Sequence, residues 1–333
     1  MDIQLDKITQ QYVDSITNSC VPPDYRLPVE ISRELFEVNQ SLPIRKEKAQ
    51  IEDLMIGEDL PITTKSCLVN EVSVRLPIRI VRPNKYDGKQ PLPITVYLHG
   101  GGWIRGSVNT HDRLIRQIAN GTFSAVIFVT YTLSPEATFP TAIDECYFAT
   151  KYFIKNADKY NLDPTRVSIM GDSAGGNLVV PVVMKIKNRN ITKLSYLVLF
   201  YPVTGYYFNT KSFRQFANLP PSTEASERYH WSLYVPDKAQ REDPRASPLN
   251  YSIKELSGLP STLIIMAEND TLRDGAVMFA NKLMCAGVET TAVRYLGTIH
   301  GFVVTNALSE TPAAKSAILL ANTTLYETYW KRC

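Results

Sequence analysis

The sequence predicts an α/β protein with a mostly parallel central sheet, helices on both faces and a helical cap. Three observations carry that expectation. From about residue 65 onward, short apolar, β-branched runs alternate with longer amphipathic stretches, as strands alternate with crossover helices. Several of the strand-like runs, such as AVIFV and YLVLF, are continuously apolar rather than alternating, which suits parallel strands covered on both faces. The chain is 333 residues long and 44% hydrophobic, enough to bury one large core or two average ones.

Taken in order, KSCLVNEVSV (65–74) and LPIRIVRP (76–83) read as an opening pair of strands. ITVYLH (94–99), SAVIFVTY (124–131), RVSIMG (166–171), SYLVLFYP (195–202), TLIIMAE (262–268) and TAVRYL (291–296) follow. Helices are expected between and after them at 114–120, 142–158, 175–187, 272–286 and 311–329. Two stretches break the alternation. Residues 1–60 carry weak helical patterns at 8–16 and 29–38, and residues 205–258 are rich in aromatics, including Phe213 and Trp231. A connection that long usually has structure or function of its own. Both read as segments of a cap (1–60 and 205–258) over a catalytic domain formed by 61–204 and 259–333. The cap would sit above the carboxyl ends of the strands, where open α/β sheets bind their ligands.

Charge excludes some functions. Thirty-six Lys and Arg against 33 Asp and Glu leave +3, too weak a bias for a nucleic-acid partner. The one small basic cluster, Arg45, Lys46 and Lys48, contains Glu47 and reads as a solvated face. The opening MDIQLDKITQ has acids where a secretory signal needs basic residues and an apolar run. No apolar stretch approaches the roughly 18 residues that span a bilayer. Five scattered cysteines show no metal-ligand spacing and an odd count, so reduced thiols in the cytoplasm are expected, with Cys67 and Cys146 as small buried groups.

Two motifs carry chemistry. In RVSIMGDSAGGN a strand runs to Gly171 and a helix starts near Gly175, so Ser173 occupies the turn of a G-x-S-x-G elbow. A serine there is lifted above the sheet, but its hydroxyl needs a base oriented by a carboxylate. Of the four histidines, His300 falls in the loop after the last strand and is the expected general base. His111 reads as surface, and His99 as a loop-holding residue. His230 lies in the cap with no evident carboxylate to orient it. Asp270 sits at the end of a strand just before a helix, either as a helix cap or as the acid that orients the histidine. The chain order Ser173, Asp270, His300 favours the second reading, and Asp172 should point away from the nucleophile and serve structure. The other motif is HGGGW at 99–103. Attack on a carbonyl places charge on oxygen, and N–H donors at Gly101, Gly102 and Ala174 would stabilise it.

Together HGGGW, YTLSPEATFP (131–140), GDSAGGN, ENDTLRD and HGF, in that order, resemble the hormone-sensitive-lipase-like branch of the α/β-hydrolases over about residues 90–305. The resemblance implies the α/β-hydrolase fold, a triad of Ser173, Asp270 and His300, and oxyanion donors at Gly101, Gly102 and Ala174. It implies carboxylic ester hydrolysis without cofactor or metal, on a small-molecule ester, by a monomer or homodimer. The chain departs from the family pattern at Thr132, where an arginine is usual, and at Thr271, where a proline is common; neither is a reacting group. Trp103, Phe213 and Trp231 would line an apolar substrate pocket or else join the core. An amidase, an acyltransferase or a dedicated biosynthetic esterase could use the same groups. A non-catalytic receptor is disfavoured because all three triad positions are kept, and action on dispersed fat because no long amphipathic lid is evident.

Overall fold

Eight strands form one sheet in a computed structural model that describes residues 3–61 and 71–331. In chain order they are β1 (Ala49–Pro61), β2 (Glu71–Pro83), β3 (Leu92–Leu98), β4 (Ala125–Val129), β5 (Leu162–Asp172), β6 (Tyr196–Phe200), β7 (Thr262–Asn269) and β8 (Thr290–Ile299). Across the sheet the order is β1-β2-β4-β3-β5-β6-β7-β8. Every pairing from β4 to β8 is parallel, whereas β1 with β2 and β2 with β4 are antiparallel. The expected mostly parallel sheet is therefore present. Its opening pair differs from expectation. The first strand lies at Ala49–Pro61, inside the stretch expected as cap, and Glu71–Pro83 is one strand rather than parts of two. Glu52 and Asp53 in β1, which pair with Arg82 and Arg79 of β2, mask a strand that is only half apolar. Residues 65–70 of the expected first strand, with Cys67, lie outside the described residues.

The central strands are apolar on both sides because both sides are covered. Along β3, Ile94, Val96 and Leu98 join a core with α4 (Thr141–Lys155) and α5 (Ala174–Asn188). Tyr97, pointing the other way, joins a core with α3 (Val108–Thr122) and α10 (Pro312–Trp330). All seven residues of β3 are buried. Such a strand reads as a continuous apolar run rather than an alternation. α9 (Arg273–Cys285) packs on the first of these faces through Ala276, Phe279, Ala280 and Leu283. Helix starts follow local chemistry: Ser107 and Thr110 form a reciprocal capping box at α3, worth about 1 kcal/mol.

Between β2 and β8 the expected helices are present, three of them within about three residues and α3 starting six residues earlier than 114, and the two patterns in the N-terminal stretch form α1 (Lys7–Thr17) and α2 (Val29–Gln40). The second irregular stretch contains α6 (Lys211–Phe216), α7 (Glu224–Tyr234) and α8 (Ile253–Leu256). The two stretches touch, since Ser226 in α7 donates to Asp24 in the turn before α2 (2.7 Å). The Gln40 side-chain amide anchors the end of α2 to the Thr110 and Val304 carbonyls. Among the described residues no helix is long and apolar enough to cross a membrane.

One glycine shows how tightly the sheet meets the turn after β5. A Cβ on Gly175 would stand 2.0 Å from the Leu98 carbonyl oxygen and 2.6 Å from that of His99. Both atoms are backbone at the end of β3, so no side chain can swing aside. Gly175→Ala is expected to cost more than about 4 kcal/mol, well into the tail of single substitutions. A urea midpoint giving a loss under about 1 kcal/mol would contradict that expectation.

Candidate active site

The carboxyl ends of β3, β5, β7 and β8 bring the candidate residues together. β5 ends at Asp172 and α5 begins at Ala174, which leaves Ser173 alone in the turn at φ 53°, ψ −118°. A non-glycine residue in that region is strained and persists only when its surroundings fix it. Here the Ser173 N–H donates to the Phe200 carbonyl (2.8 Å), and its carbonyl accepts from Asn177 and Val203. The Asn177 side chain donates in turn to the Val203 and Ala246 carbonyls.

His300, one residue beyond β8, presents Nε2 2.8 Å from Ser173 Oγ and Nδ1 2.8 Å from Asp270 Oδ2. Asp270 is almost fully buried, and its other oxygen accepts from the Leu272 N–H (2.9 Å). The two readings of this aspartate thus coexist: one oxygen caps the turn and the other faces the imidazole. Burial alone would lower the His300 pKa, but the Asp270 charge and hydrogen bond raise it above the ordinary 6.5. The Tyr201 ring packs edge-on against the imidazole, with centroids 4.9 Å apart. An imidazole so held can accept the serine proton at Nε2 while Nδ1–H remains bonded to the carboxylate.

The loop after β3 explains its three glycines. Gly101, Gly102 and Trp103 take φ of 113°, 65° and 61° in succession. A Cβ on Gly100 would lie 2.2 Å from Asp172 Oδ2, and one on Gly101 2.2 Å from the Arg105 carbonyl oxygen. Close approach and positive φ both demand glycine there. Among the described residues, the N–H groups of Gly101, Gly102 and Ala174 donate to no protein acceptor outside helices and strands. Free N–H donors are what a developing oxyanion requires.

Asp172 points away from Ser173, as expected, and supports this loop. Its Oδ1 accepts from the Tyr97 hydroxyl (2.8 Å) and the Gly100 N–H (2.9 Å). Burial would raise its pKa, but His111, Tyr97 and the Gly100 amide hold it below the usual carboxylate value. His99 is wholly buried against Tyr131 and Phe128, and its Nδ1 lies 2.8 Å from the Gly100 carbonyl. Burial first, then His111, push its pKa down to about 3, so it remains neutral at working pH.

Two expectations about histidines need correction. His111 is not on the surface; it is buried, with Nε2 3.3 Å from Asp172 Oδ1. The polar helix start that suggested exposure packs inward because its partner is the buried carboxylate that ends β5. His230 does have an orienting carboxylate, Asp24, with Nε2 and Oδ2 2.8 Å apart. The pair spans 206 residues of sequence, so no local pattern announces it.

The aromatics expected at a pocket are packed instead. Trp103 and Trp231 are each 1% exposed and Phe213 4%. Trp103 stacks on Tyr234 at 4.3 Å and meets Trp231 edge-on at 5.2 Å. Phe213 packs on Phe208. These rings pack residues 205–258 against the loop after β3 rather than standing open to solvent. At the departures from the family pattern, Thr132 donates its N–H and hydroxyl to the buried Glu145 carboxylate (2.7 Å each). Thr271 bonds Ser222, before α7 (3.1 Å between hydroxyls). Each replaces a stiff or charged residue with a short hydrogen-bonded tie.

Comparison with known proteins bears on the fold and the family. A family model described as the alpha/beta hydrolase fold matches residues 95–304. A protein of Acanthamoeba polyphaga mimivirus bearing the name of an alpha/beta hydrolase is 35% identical over 93% of this chain and 84% of its own. A carboxylesterase of Mycobacterium tuberculosis is 33% identical over 73% of this chain and 75% of its own. The crystal structure of a thermostable esterase from Pseudomonas putida superposes with a TM-score of 0.91 at 32% identity, covering 100% of both chains. From the eight-stranded sheet, the serine at the turn after β5 and these similarities, the chain belongs to the alpha/beta hydrolase fold family, in its hormone-sensitive-lipase-like carboxylesterase class.

Proposed function

We propose that this protein hydrolyses carboxylic esters, of short to medium acyl chain or of a small molecule, through an acyl-enzyme on Ser173. The observation that carries the proposal is the unbroken hydrogen-bonded series Ser173 Oγ, His300 Nε2, His300 Nδ1, Asp270 Oδ2, with 2.8 Å at each junction between residues. The esterases among the relatives support the same reading. In it, Ser173 Oγ attacks the ester carbonyl as its proton passes to His300 Nε2, and Asp270 stabilises the imidazolium. The amides of Gly101, Gly102 and Ala174 hold the tetrahedral oxyanion. His300 returns the proton to the leaving alcohol, and water activated by the same nitrogen then releases the acid. The reading routes every step through side chains and backbone amides and needs no metal.

We further propose that residues preceding β1 and residues 205–258 act as one cap, which the Ser226 to Asp24 bond supports. Cys20, Cys146 and Cys285 are free thiols, which supports a reducing, cytoplasmic setting.

The test is turnover of p-nitrophenyl esters from acetate to laurate. With the aromatic joint packed shut, activity is expected to be highest on the shorter esters and to fall toward laurate. A folded protein inactive on every member would overturn the ester reading.

A further inference from the structure

A single carboxylate from the N-terminal stretch, its side chain 11% exposed, grips the loop that carries two of the oxyanion donors. Asp24, in the short turn Asp24–Arg26, places Oδ2 2.8 Å from His230 Nε2 in α7 and 3.1 Å from Arg105 Nη1. Its Oδ1 accepts from Ser226. Burial would raise its pKa, but His230, Arg105 and Ser226 hold it well below the usual carboxylate range, so it stays ionised.

Two of these three partners, Arg105 and His230, act on the loop itself. Arg105 closes it, donating its N–H to the Gly101 carbonyl (3.1 Å). His230 covers it: a Cβ on Gly102 would stand 2.5 Å from His230 Nδ1 and 2.7 Å from Cγ. The imidazole therefore fills the space where Gly102 lacks a side chain. Arg33 of α2 adds a third hold, its Nε donating to the Ile104 carbonyl (2.7 Å). A loop with three successive positive φ values has little intrinsic preference for one geometry. Its shape must come from what surrounds it, and donors must sit within about 2.7–3.1 Å of the developing oxyanion.

Resting on the esterase reading, we propose that Asp24 and His230 are positioning residues for the oxyanion donors at Gly101 and Gly102. Docking of the N-terminal stretch onto α7 thereby sets transition-state stabilisation at Ser173, through contacts that touch neither the nucleophile nor its base. Because the oxyanion forms only after attack, in the tetrahedral intermediates and the transition states beside them, and not in the bound ester, the effect belongs in kcat and not in KM.

The experiment compares Asp24→Ala, His230→Ala, the double variant, Asp24→Asn and His230→Gln with wild type. It reads kcat and KM on p-nitrophenyl acetate, and the rate at which a fluorophosphonate labels Ser173, with melting curves for each variant. Each alanine variant is expected to lower kcat and labelling rate about 10- to 100-fold, as for a misplacement of about 1 Å, with KM changed less than about twofold. The double variant should lose no more than about twofold beyond either single, since the two residues act as one unit. His230→Gln, whose amide can still donate to Asp24, should recover most of the rate. Wild-type kcat and labelling in folded alanine variants, or a loss confined to KM, would overturn the proposal, as would losses that multiply in the double variant. If the alanine variants do not fold, Asp24→Asn decides. It keeps an acceptor for His230 but removes the charge facing Arg105, so lowered kcat at unchanged KM supports the proposal and wild-type rates overturn it. A wild type that neither turns over esters nor labels defeats the esterase reading and this inference with it. A wild type that labels no faster than its variants defeats the inference alone.

Discussion

Ser173→Ala is expected to lower kcat by about 10⁴- to 10⁶-fold on p-nitrophenyl acetate, the range seen when a triad nucleophile is removed. The fold should not change. Alanine keeps the Cβ of serine, and the backbone bonds to Phe200, Asn177 and Val203 that pin the turn involve only main-chain atoms of residue 173. His300 Nε2 loses its protein partner, but its side chain is 13% exposed and water can replace the hydroxyl. The melting temperature should therefore stay within about 4 °C of wild type. Activity within tenfold of wild type in a folded variant would mean that another group is the nucleophile.

Asp270→Asn should cost about 10⁴-fold in kcat while sparing the structure. Asparagine retains an oxygen to accept from the Leu272 N–H, so the turn survives, but it no longer holds Nδ1–H as a charged acceptor. The pH profile makes this test specific. His300 must be neutral at Nε2 to take the serine proton, so kcat/KM rises with pH through the pKa of the free protein. Since Asp270 raises that pKa, the wild-type midpoint should lie above the ordinary 6.5. Asp270→Asn removes the charge and should move the midpoint to lower pH. A midpoint that stays in place or moves upward would exclude Asp270 as the partner of His300. The same raised pKa bears on stability. Its contribution is fully present below the unfolded value of about 6.5 and is lost as pH rises through the folded value.

Much of this architecture is legible in local sequence, for identifiable reasons. β3 and β4 are readable because a strand covered on both faces must be apolar throughout, and so is the elbow, because a strand, a flanked serine and a helix occupy twelve consecutive residues. β1 is hidden because it is an antiparallel edge strand exposed on both faces around Gln50, Glu52 and Asp53, and a charged strand has no apolar run to detect. His111 reads as surface because its helix begins with polar residues, although Asp172 and the ring of Tyr97 await it from the sheet. The burial of Trp103 and Trp231 was equally out of reach, since an aromatic that packs and an aromatic that lines a pocket have the same local pattern.

What the sequence determined by itself was the chemistry: a serine in a glycine-flanked turn, an aspartate and a histidine after later strands, and a glycine loop without side chains. Each of these is a local constraint, set by φ, by close approach or by position at a strand end, and local constraints are written in adjacent residues. What only the tertiary structure decided was which groups face one another across the chain. The approach of His300 to Ser173, of Asp172 to the glycine loop and of Asp24 to His230 depends on segments 127, 72 and 206 residues apart. The sheet and the helices packed on it bring those segments together through buried apolar surface, which is non-directional and leaves no pairing code in the residues that meet.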